Sequence, residues 1–504
     1  MRNVLKEIDK NYEGDNRLIA KNANKFCHNN IFGIEINEKI ARVAMMDMIV
    51  NDDGHTNIVN DTGLNTTFKN PSISYDKFTI IMTNPPFGVK INKNDSNNLG
   101  ENSFSNFEFG KDKTTQVSDI LFLEQYKKLL VSDYERNPRA GIVVSDGVIN
   151  NPSSKDVVLW IKRNFKILAV ISLPDFAFRK AGSGMKTSLL FLKKYSKEYK
   201  TLEDVPDYNV FFGIAEHIGY DSTLRDDDND FPIILDNYKN GIKDKEKKCF
   251  IKKMTELGDR LDPWYYYNMD KINEYFKKLE EKGHTIVSLA TIVSAPVSGK
   301  SPKGGVTYST GEIPSIVVKN ITKEGSFDFE NNLNHVPEDF YEEFIKSKGC
   351  LKLNDILIAK DGATTGKTAI IDENFKFLEK EDGNKKIKAI YSEHVFKISV
   401  KEGINAMYVN AFLNSEYGQL QLTTIASGGA QGGIISNFAD TIRIPLIERK
   451  DQDKCANEWI KSLNDLQKLQ CEYNDKLTDM KKHFSDHLSD SNPASEDYQG
   501  RIIK

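Results

Sequence analysis

Hydrophobic and polar positions alternate in short, dissimilar blocks through the first 200 residues. "NIFGIEI" (30–36) is a brief apolar run closing on an acid, and "EKIARVAMMDMIVN" (38–51) has the spacing of an amphipathic helix. "HTNIVND" (55–61) and "FTIIMTN" (78–84) are again strand-like, and "DILFLEQYKKLLV" (119–131) is helical. The series continues with a strand at "RAGIVVSD" (139–146), a helix at "SKDVVLWIKRNF" (154–165), and strands at "ILAVISLP" (167–174) and "KTSLLFLKK" (186–194). This alternation predicts an α/β domain over 1–200 with a mostly parallel sheet. In such sheets ligands sit at the carboxyl ends of the strands, where Glu35, Asp61 and Asn84 all fall.

Beyond residue 200 the texture changes. The charge runs "DDDND", "KDKEKK" and "EEKGH" mark 201–283 as a connecting region, with "RLDPWYYYNMDKINEYFKKLEEK" as a helical bridge. From 284 to 450 short β-type runs are separated by glycine turns, in "GEIPSIVVKNI", "LKLNDILIAKDGATTGKTAII" and "HVFKISV". A helix "NAMYVNAFLNSEYG", the loop "ASGGAQGGIISN" and a strand "TIRIPLIE" follow, giving an α+β domain. Over 451–490, Trp459, Leu463, Leu466, Tyr473, Leu477, Met480 and Phe484 recur at alternating spacings of four and three, with Gln470 in the seam. That is the heptad stripe of a long helix that packs against a second one. Residues 491–504 read as a flexible tail.

Composition bounds the classes. A chain of 504 residues calls for two or three domains. With 39% hydrophobic and 28% charged residues it reads as soluble and globular. Apolar runs such as "LAVISL" are too short to span a bilayer and no signal-peptide pattern is present, so a cytoplasmic location is expected. Cys27, Cys249, Cys350, Cys455 and Cys471 form no C-x-x-C pair and no H-E-x-x-H occurs, so no structural metal is expected. The net charge of −4 does not by itself favour nucleic acid, although 69 Lys and Arg leave material for local basic patches.

The sharpest chemical signal is Asn84-Pro85-Pro86-Phe87 at the end of an apolar strand. The amino group of a nucleobase is a poor nucleophile because its lone pair is delocalised into the ring. The Asn84 side-chain oxygen and the Pro85 carbonyl can accept both amino hydrogens and draw the nitrogen toward a tetrahedral geometry. The prolines keep those acceptors rigid. An aromatic at the fourth position stacks on a base that has left the duplex, since its amino edge is otherwise paired. A plain strand-ending proline turn is the competing explanation. Glu35 fits the strand-end acid that accepts from ribose hydroxyls, although a solvated acid explains it too; Asp61 fits an acceptor for a cofactor's adenine amino group.

"NNIFGIEINEKIARVAMMDMIVNDDGHTNI", "TNPPFG", "RAGIVVSDGVINN" and "SLPDFAF…GSGMKTSLLFLKK" together resemble the modification subunit of type I restriction-modification systems, the adenine-specific DNA methyltransferases. The resemblance spans about residues 1–200. It implies a Rossmann-like fold, S-adenosylmethionine as cofactor lined by Glu35 and Asp61, and a target adenine held by Asn84 to Phe87. It also places Phe178 as a second aromatic against the flipped base, which a core phenylalanine beside Phe176 would explain equally well.

Residues 284–488 are similar to a target-recognition domain of the type I specificity subunit, in "NDILIAKDGATTGKTAII", "YVNAFLNSEYGQ", "SGGAQGGIISN" and "IRIPLIE" before a long helix. This implies double-stranded DNA as partner, with Lys300 and Lys303 as candidate phosphate contacts, and a second copy, a specificity subunit or a restriction subunit joined through the long helix. "GATTGKT" (362–368) falls one residue short of a phosphate loop and reads as a turn.

In the family, a glycine-rich cofactor loop lies upstream of the segment matching "GIEIN", and residues 1–30 hold no such stretch. The fold is therefore expected to be incomplete at its N-terminus and to bind cofactor weakly or not at all alone; a fragment of a fused modification-specificity protein, one half of a split enzyme completed by another polypeptide, and a decayed gene product all fit the sequence. Two functions follow: an adenine-specific DNA methyltransferase with its own recognition domain, or a DNA-binding specificity module carrying an inactive methyltransferase remnant. The Asn-Pro-Pro-Phe clamp favours the first.

Overall fold

The computed structural model describes residues 16–50, 57–242, 248–302, 311–330, 333–381, 384–426 and 433–490. These divide into two compact units, one reaching to Asp270 and one running from Lys271. Lys303 and the tail 491–504 lie outside the described residues, as does part of the glycine-rich loop.

In the first unit, helix α1 (Asn16–Asn30) leads into strand β1 (Gly33–Glu35). Helix α2 (Glu38–Val50) then crosses to β2 (Ile58–Asn60), which pairs parallel to β1 with Gly33 opposite Ile58 and Glu35 opposite Asn60. A parallel pair needs such a crossover, and α2 buries Ala41 and Met48.

A separate six-stranded sheet is built from β3 (Ile80–Thr83), β6 (Arg139–Ser145), β7 (Phe165–Ser172), β8 (Thr187–Lys194), β9 (Asn209–Ile214) and β12 (Cys249–Lys253). Its order is β12-β9-β7-β8-β6-β3. Two small antiparallel pairs flank it: β4 (Lys90–Asn92) with β5 (Thr115–Val117), and β10 (Ile218–Tyr220) with β11 (Asp226–Asn229). Helices α3 (Ser118–Leu129) and α4 (Lys155–Asn164) cover the sheet and share its core, where Trp160, Phe165 and Phe212 are buried.

The sheet departs from the expected one in two ways. It is mixed: β3 with β6 and β7 with β9 are parallel, but β8 runs antiparallel to both β6 and β7, as β12 does to β9. The chain leaves β7 and returns as β8 through a loop with no crossover helix, so it must come back antiparallel. The second departure lies in 201–283, expected as a connection. Its "NVFFGI" and "CFIKK" segments are β9 and β12, two strands of the sheet. The charge runs around these short strands mask them in the sequence.

The second unit has a core of its own around Tyr341, Phe344, Leu357 and Tyr391. A four-stranded sheet centres on Asp355–Ala359, antiparallel to both Val395–Ser399 and Thr368–Ile370. Residues 362–367 form the turn between two of these strands, with Gly362 and Gly366 at φ 78° and 88°. The segment joins two antiparallel strands, and both glycines take backbone that other residues rarely adopt. The unit ends in α5 (Arg449–Asp490), 42 residues long. Its expected stripe is there, and Leu466, Tyr473, Met480 and Phe484 face solvent.

Candidate active site

Strand β3 delivers Asn84 to the surface. Its two prolines differ: Pro85 is buried and Pro86 exposed, while Phe87 is half-buried. The turn is held from below by the start of α3. Ser118 Oγ donates to the Pro86 carbonyl at 2.7 Å, and Asp119 Oδ2 accepts from the Gly88 N–H at 2.7 Å. The other oxygen of Asp119 accepts from Ser145 Oγ at 3.1 Å, tying the turn to the end of β6. Asp119 is 1% exposed, so this carboxylate is committed to positioning. Thr83 adds a 2.8 Å hydrogen bond to the Tyr126 hydroxyl. Among the described residues, nothing occupies the Asn84 side chain or the Pro85 carbonyl, whereas the Pro86 carbonyl is taken. Two acceptors at the end of the strand, the exposed Asn84 side chain and the carbonyl of the buried Pro85, are therefore left without a protein partner among the described residues.

Phe178 comes from the loop between β7 and β8, and its ring lies 5.4 Å from that of Phe87, edge to face at 64°. Offset or edge-on aromatic pairs of this kind are favourable. The loop is held by the region expected to be a connection. Tyr220 on β10 donates to the Ala177 carbonyl at 2.7 Å, and Arg179 donates to the Ser222 carbonyl at 3.1 Å. Phe176, the competing aromatic, turns instead toward Tyr220 at 6.3 Å. The structure thus separates the two phenylalanines that the sequence leaves equivalent.

Behind this loop is a buried polar cluster. Lys186 donates to Ser172 Oγ at 2.9 Å and to the Leu173 carbonyl, and Ser188 Oγ donates to Asp146 at 2.7 Å. Burial pushes the Asp146 carboxyl up to about 6, against the pull of Lys186 and Ser188. Burial likewise lowers the Lys186 ammonium, with Asp146 opposing.

Glu35 and Asp61 stand beside each other at the end of the β1–β2 pair, where the Asp61 N–H donates to the Glu35 carbonyl at 3.2 Å. The Glu35 carboxylate accepts only from the Asn37 N–H, at 2.7 Å among the described residues, which leaves one oxygen available to a hydroxyl ligand. Asp61 is more committed. It accepts from the N–H groups of Thr62 and Lys69 and from Asn65, and so pins the loop 62–69. Glu35 fits a ribose-binding acid; Asp61 shapes the wall next to it.

Lys300, in the second unit, forms an ion pair with Glu343 and lies 5.6 Å over the Phe340 ring. Sequence reading singles out Asn84, Phe87 and Phe178, which the structure brings together, but passes over Ser118, Asp119 and Tyr220, whose contacts join segments far apart in the chain. Only Asp119, at the N-terminus of a helix, has a local signal.

The description "N-6 DNA Methylase" matches residues 14–275, slightly more than half of the chain. The chain belongs to the N-6 DNA methylase family. The matched range ends close to the boundary of the first unit and includes all of Glu35, Asp61, Asn84, Phe87 and Phe178. Comparison with curated proteins gives no match. Among solved structures, the chain is similar to the type I restriction-modification methyltransferase subunit from Streptococcus thermophilus, at 22% identity and a TM-score of 0.33 over 44% of each chain. It is similar to the type I restriction enzyme EcoKI M protein at 19% identity and a TM-score of 0.33, covering 44% of this chain and 42% of that one. A third likeness is to the HsdS subunit from Thermoanaerobacter tengcongensis, at 13% identity and a TM-score of 0.26 over 40% of this chain and 44% of the other. This family member spans less than half of each of those solved chains.

Proposed function

We propose that the first unit methylates the exocyclic amino nitrogen of adenine in double-stranded DNA, with the adenine flipped out of the helix, and that the second unit reads the surrounding sequence. The observation that carries this reading is the meeting of Phe178 with Phe87 beside an unoccupied Asn84 side chain. Asn84 Oδ1 and the Pro85 carbonyl accept the two amino hydrogens and localise the nitrogen lone pair. Phe87 offers its face to the base, and Phe178, in edge contact with Phe87 here, swings aside to close the other side of the base. Ser118 and Asp119 hold the turn that carries the acceptors, so the acceptors themselves need no reorganisation when the base enters. S-adenosylmethionine would be held through Glu35 in the wall shaped by Asp61 and would supply an electrophilic methyl group; Asn84 and the Pro85 carbonyl would present the amino nitrogen to it, and solvent would take the amino proton.

The exposed stripe of α5 would pair with a second long helix, from another copy or from a specificity or restriction subunit. Lys300, if it serves a phosphate, must first leave Glu343.

The test is transfer of tritium from methyl-labelled S-adenosylmethionine to mixed-sequence duplex DNA, with nucleoside analysis of the product, alongside 2-aminopurine fluorescence for base flipping. Label in N6-methyladenine that disappears in Asn84→Ala supports the reading. Label on cytosine, an unchanged rate in Asn84→Ala, or neither label nor flipping in the natural sequence would overturn it.

A further inference from the structure

The clamp turn does not end at Phe87. From Gly88 the chain runs straight into β4 and returns through β5 to the start of α3, so the β4–β5 hairpin and the clamp share one support. The Ser118 N–H donates to the Val89 carbonyl at 2.8 Å, while the Ser118 hydroxyl and the Asp119 carboxylate hold Pro86 and Gly88. Ile91 is buried in a cluster with Leu64, Phe104 and Leu121, and Gln116 on the facing strand is buried and donates to the Phe109 carbonyl at 2.7 Å. The hairpin is therefore a rigid extension of the clamp.

Its two faces differ. Side chains alternate along a strand, and Ile91 and Gln116, opposite each other in the ladder, take the inner face. Lys90, Asn92 and Thr115 are exposed on the outer one. Just beyond the ladder the Lys93 N–H donates to the Thr114 carbonyl at 3.0 Å, and Lys113 and Lys111 precede Thr114 at that end. All four lysines are exposed, and among the described residues none of their ammonium groups has a partner. Of the acids in 88–117, Asp95 accepts from the Asn98 N–H and side-chain amide and Glu108 accepts from the Trp160 indole, which leaves Glu101 and Asp112 against four free ammonium groups.

This polar face stands next to the base slot. Lys90 comes three residues after Phe87, so its Cα lies within about 11 Å of that of Phe87. A nucleotide extruded by rotation about its backbone leaves its own phosphates at the mouth of the slot. Lysine, asparagine and threonine side chains are common donors to phosphate oxygens, and such contacts set register without reading sequence.

We propose that the outer face of the β4–β5 hairpin, led by Lys90 and Lys113, grips the DNA phosphates that flank the extruded adenine, an inference that rests on the methyltransferase reading above. Both lysines are positioning residues. Hairpin and clamp hang from the same helix start, so a grip on the phosphates fixes the backbone relative to Asn84 and brings the base into the slot at one depth. The grip is the same on every sequence, because the phosphate backbone carries no base identity.

The test is the salt dependence of binding to a mixed-sequence DNA duplex, measured on the full chain, on Lys90→Gln, on Lys90→Gln with Lys113→Gln, on Lys90→Arg and on Lys77→Gln. Lys77 is exposed and precedes β3, at the end of that strand away from Asn84, so it is a charge-matched control. All the substituted residues are exposed, so the fold is kept, which thermal melting verifies. Each lost phosphate contact lowers the steepness of log K against log salt by about 1. The steepness should fall by about 1 in Lys90→Gln and about 2 in the double variant, and stay unchanged in Lys90→Arg and Lys77→Gln. Ethylation of the phosphates beside the methylated adenine should block binding by the natural sequence and lose that effect in the double variant. Unchanged steepness in the glutamine variants, an equal fall in Lys77→Gln, or ethylation interference that persists in the double variant would overturn the proposal. Methyl transfer is followed on the same duplex: transfer with unchanged steepness removes the hairpin's role alone, whereas no binding by the natural sequence removes the catalytic reading with it.

Discussion

Asn84 acts only as well as it is held, and its support comes from Ser118 and Asp119. Asp119→Ala removes both the tie to Gly88 and the tie to Ser145. Misplacement of the acceptors by about 1 Å costs on the order of 10²-fold in rate. Asp119→Ala is therefore expected to lower kcat by about that factor while Asn84 itself is intact, measured by single-turnover methyl transfer with thermal melting as the folding control. Phe178 is separable from this support. Stacking of a base on an aromatic is worth about 1–3 kcal/mol, so Phe178→Ala should weaken DNA binding or flipping by roughly 5- to 150-fold, with Phe178→Tyr restoring most of it. A loss in Phe176→Ala as large as in Phe178→Ala would count against the assignment, since Phe176 faces Tyr220.

At the scale of elements, α3 and the β7–β8 loop do most to position the site, and α4 anchors the core behind it. The Trp160 ring is buried in α4, packs edge-on against Phe109 and Phe165, and donates its indole N–H to Glu108 at 2.9 Å. Trp160→Ala leaves a cavity and an unpaired acceptor, and a loss of about 3–5 kcal/mol is expected from denaturant melts. Behind the Phe178 loop, the Asp146 carboxyl titrates at about 6 instead of its ordinary 3.8 because it is buried. Between those values the folded chain keeps a proton that the unfolded chain has released. This contribution to stability is therefore fully present below about 3.8 and is lost as pH rises through about 6. Asp146→Asn should flatten the fall of Tm across that window; an unchanged slope would show that another group carries it.

For the molecule as a whole, the alternation of apolar runs and amphipathic helices made most elements of the first unit legible, with boundaries within a few residues. The long helix was equally clear from its heptad stripe. What was hidden followed a physical pattern. β9 and β12 are short and stand among charge runs, so local texture read them as a connection although β9 is buried throughout its last five residues. The direction of β8 was hidden because period and propensity carry no information about pairing.

The sequence by itself determined the class of the fold and the family, and it singled out Asn84-Pro85-Pro86-Phe87, because rigidity is a local property of two consecutive prolines after an asparagine. Only the tertiary structure decided that Phe178 rather than Phe176 meets Phe87, that Asp119 is a positioning group, and that one helix start holds both the clamp and the β4–β5 hairpin. Those facts depend on which distant segments pack together, and packing is settled by the burial of the whole chain rather than by any short stretch of it.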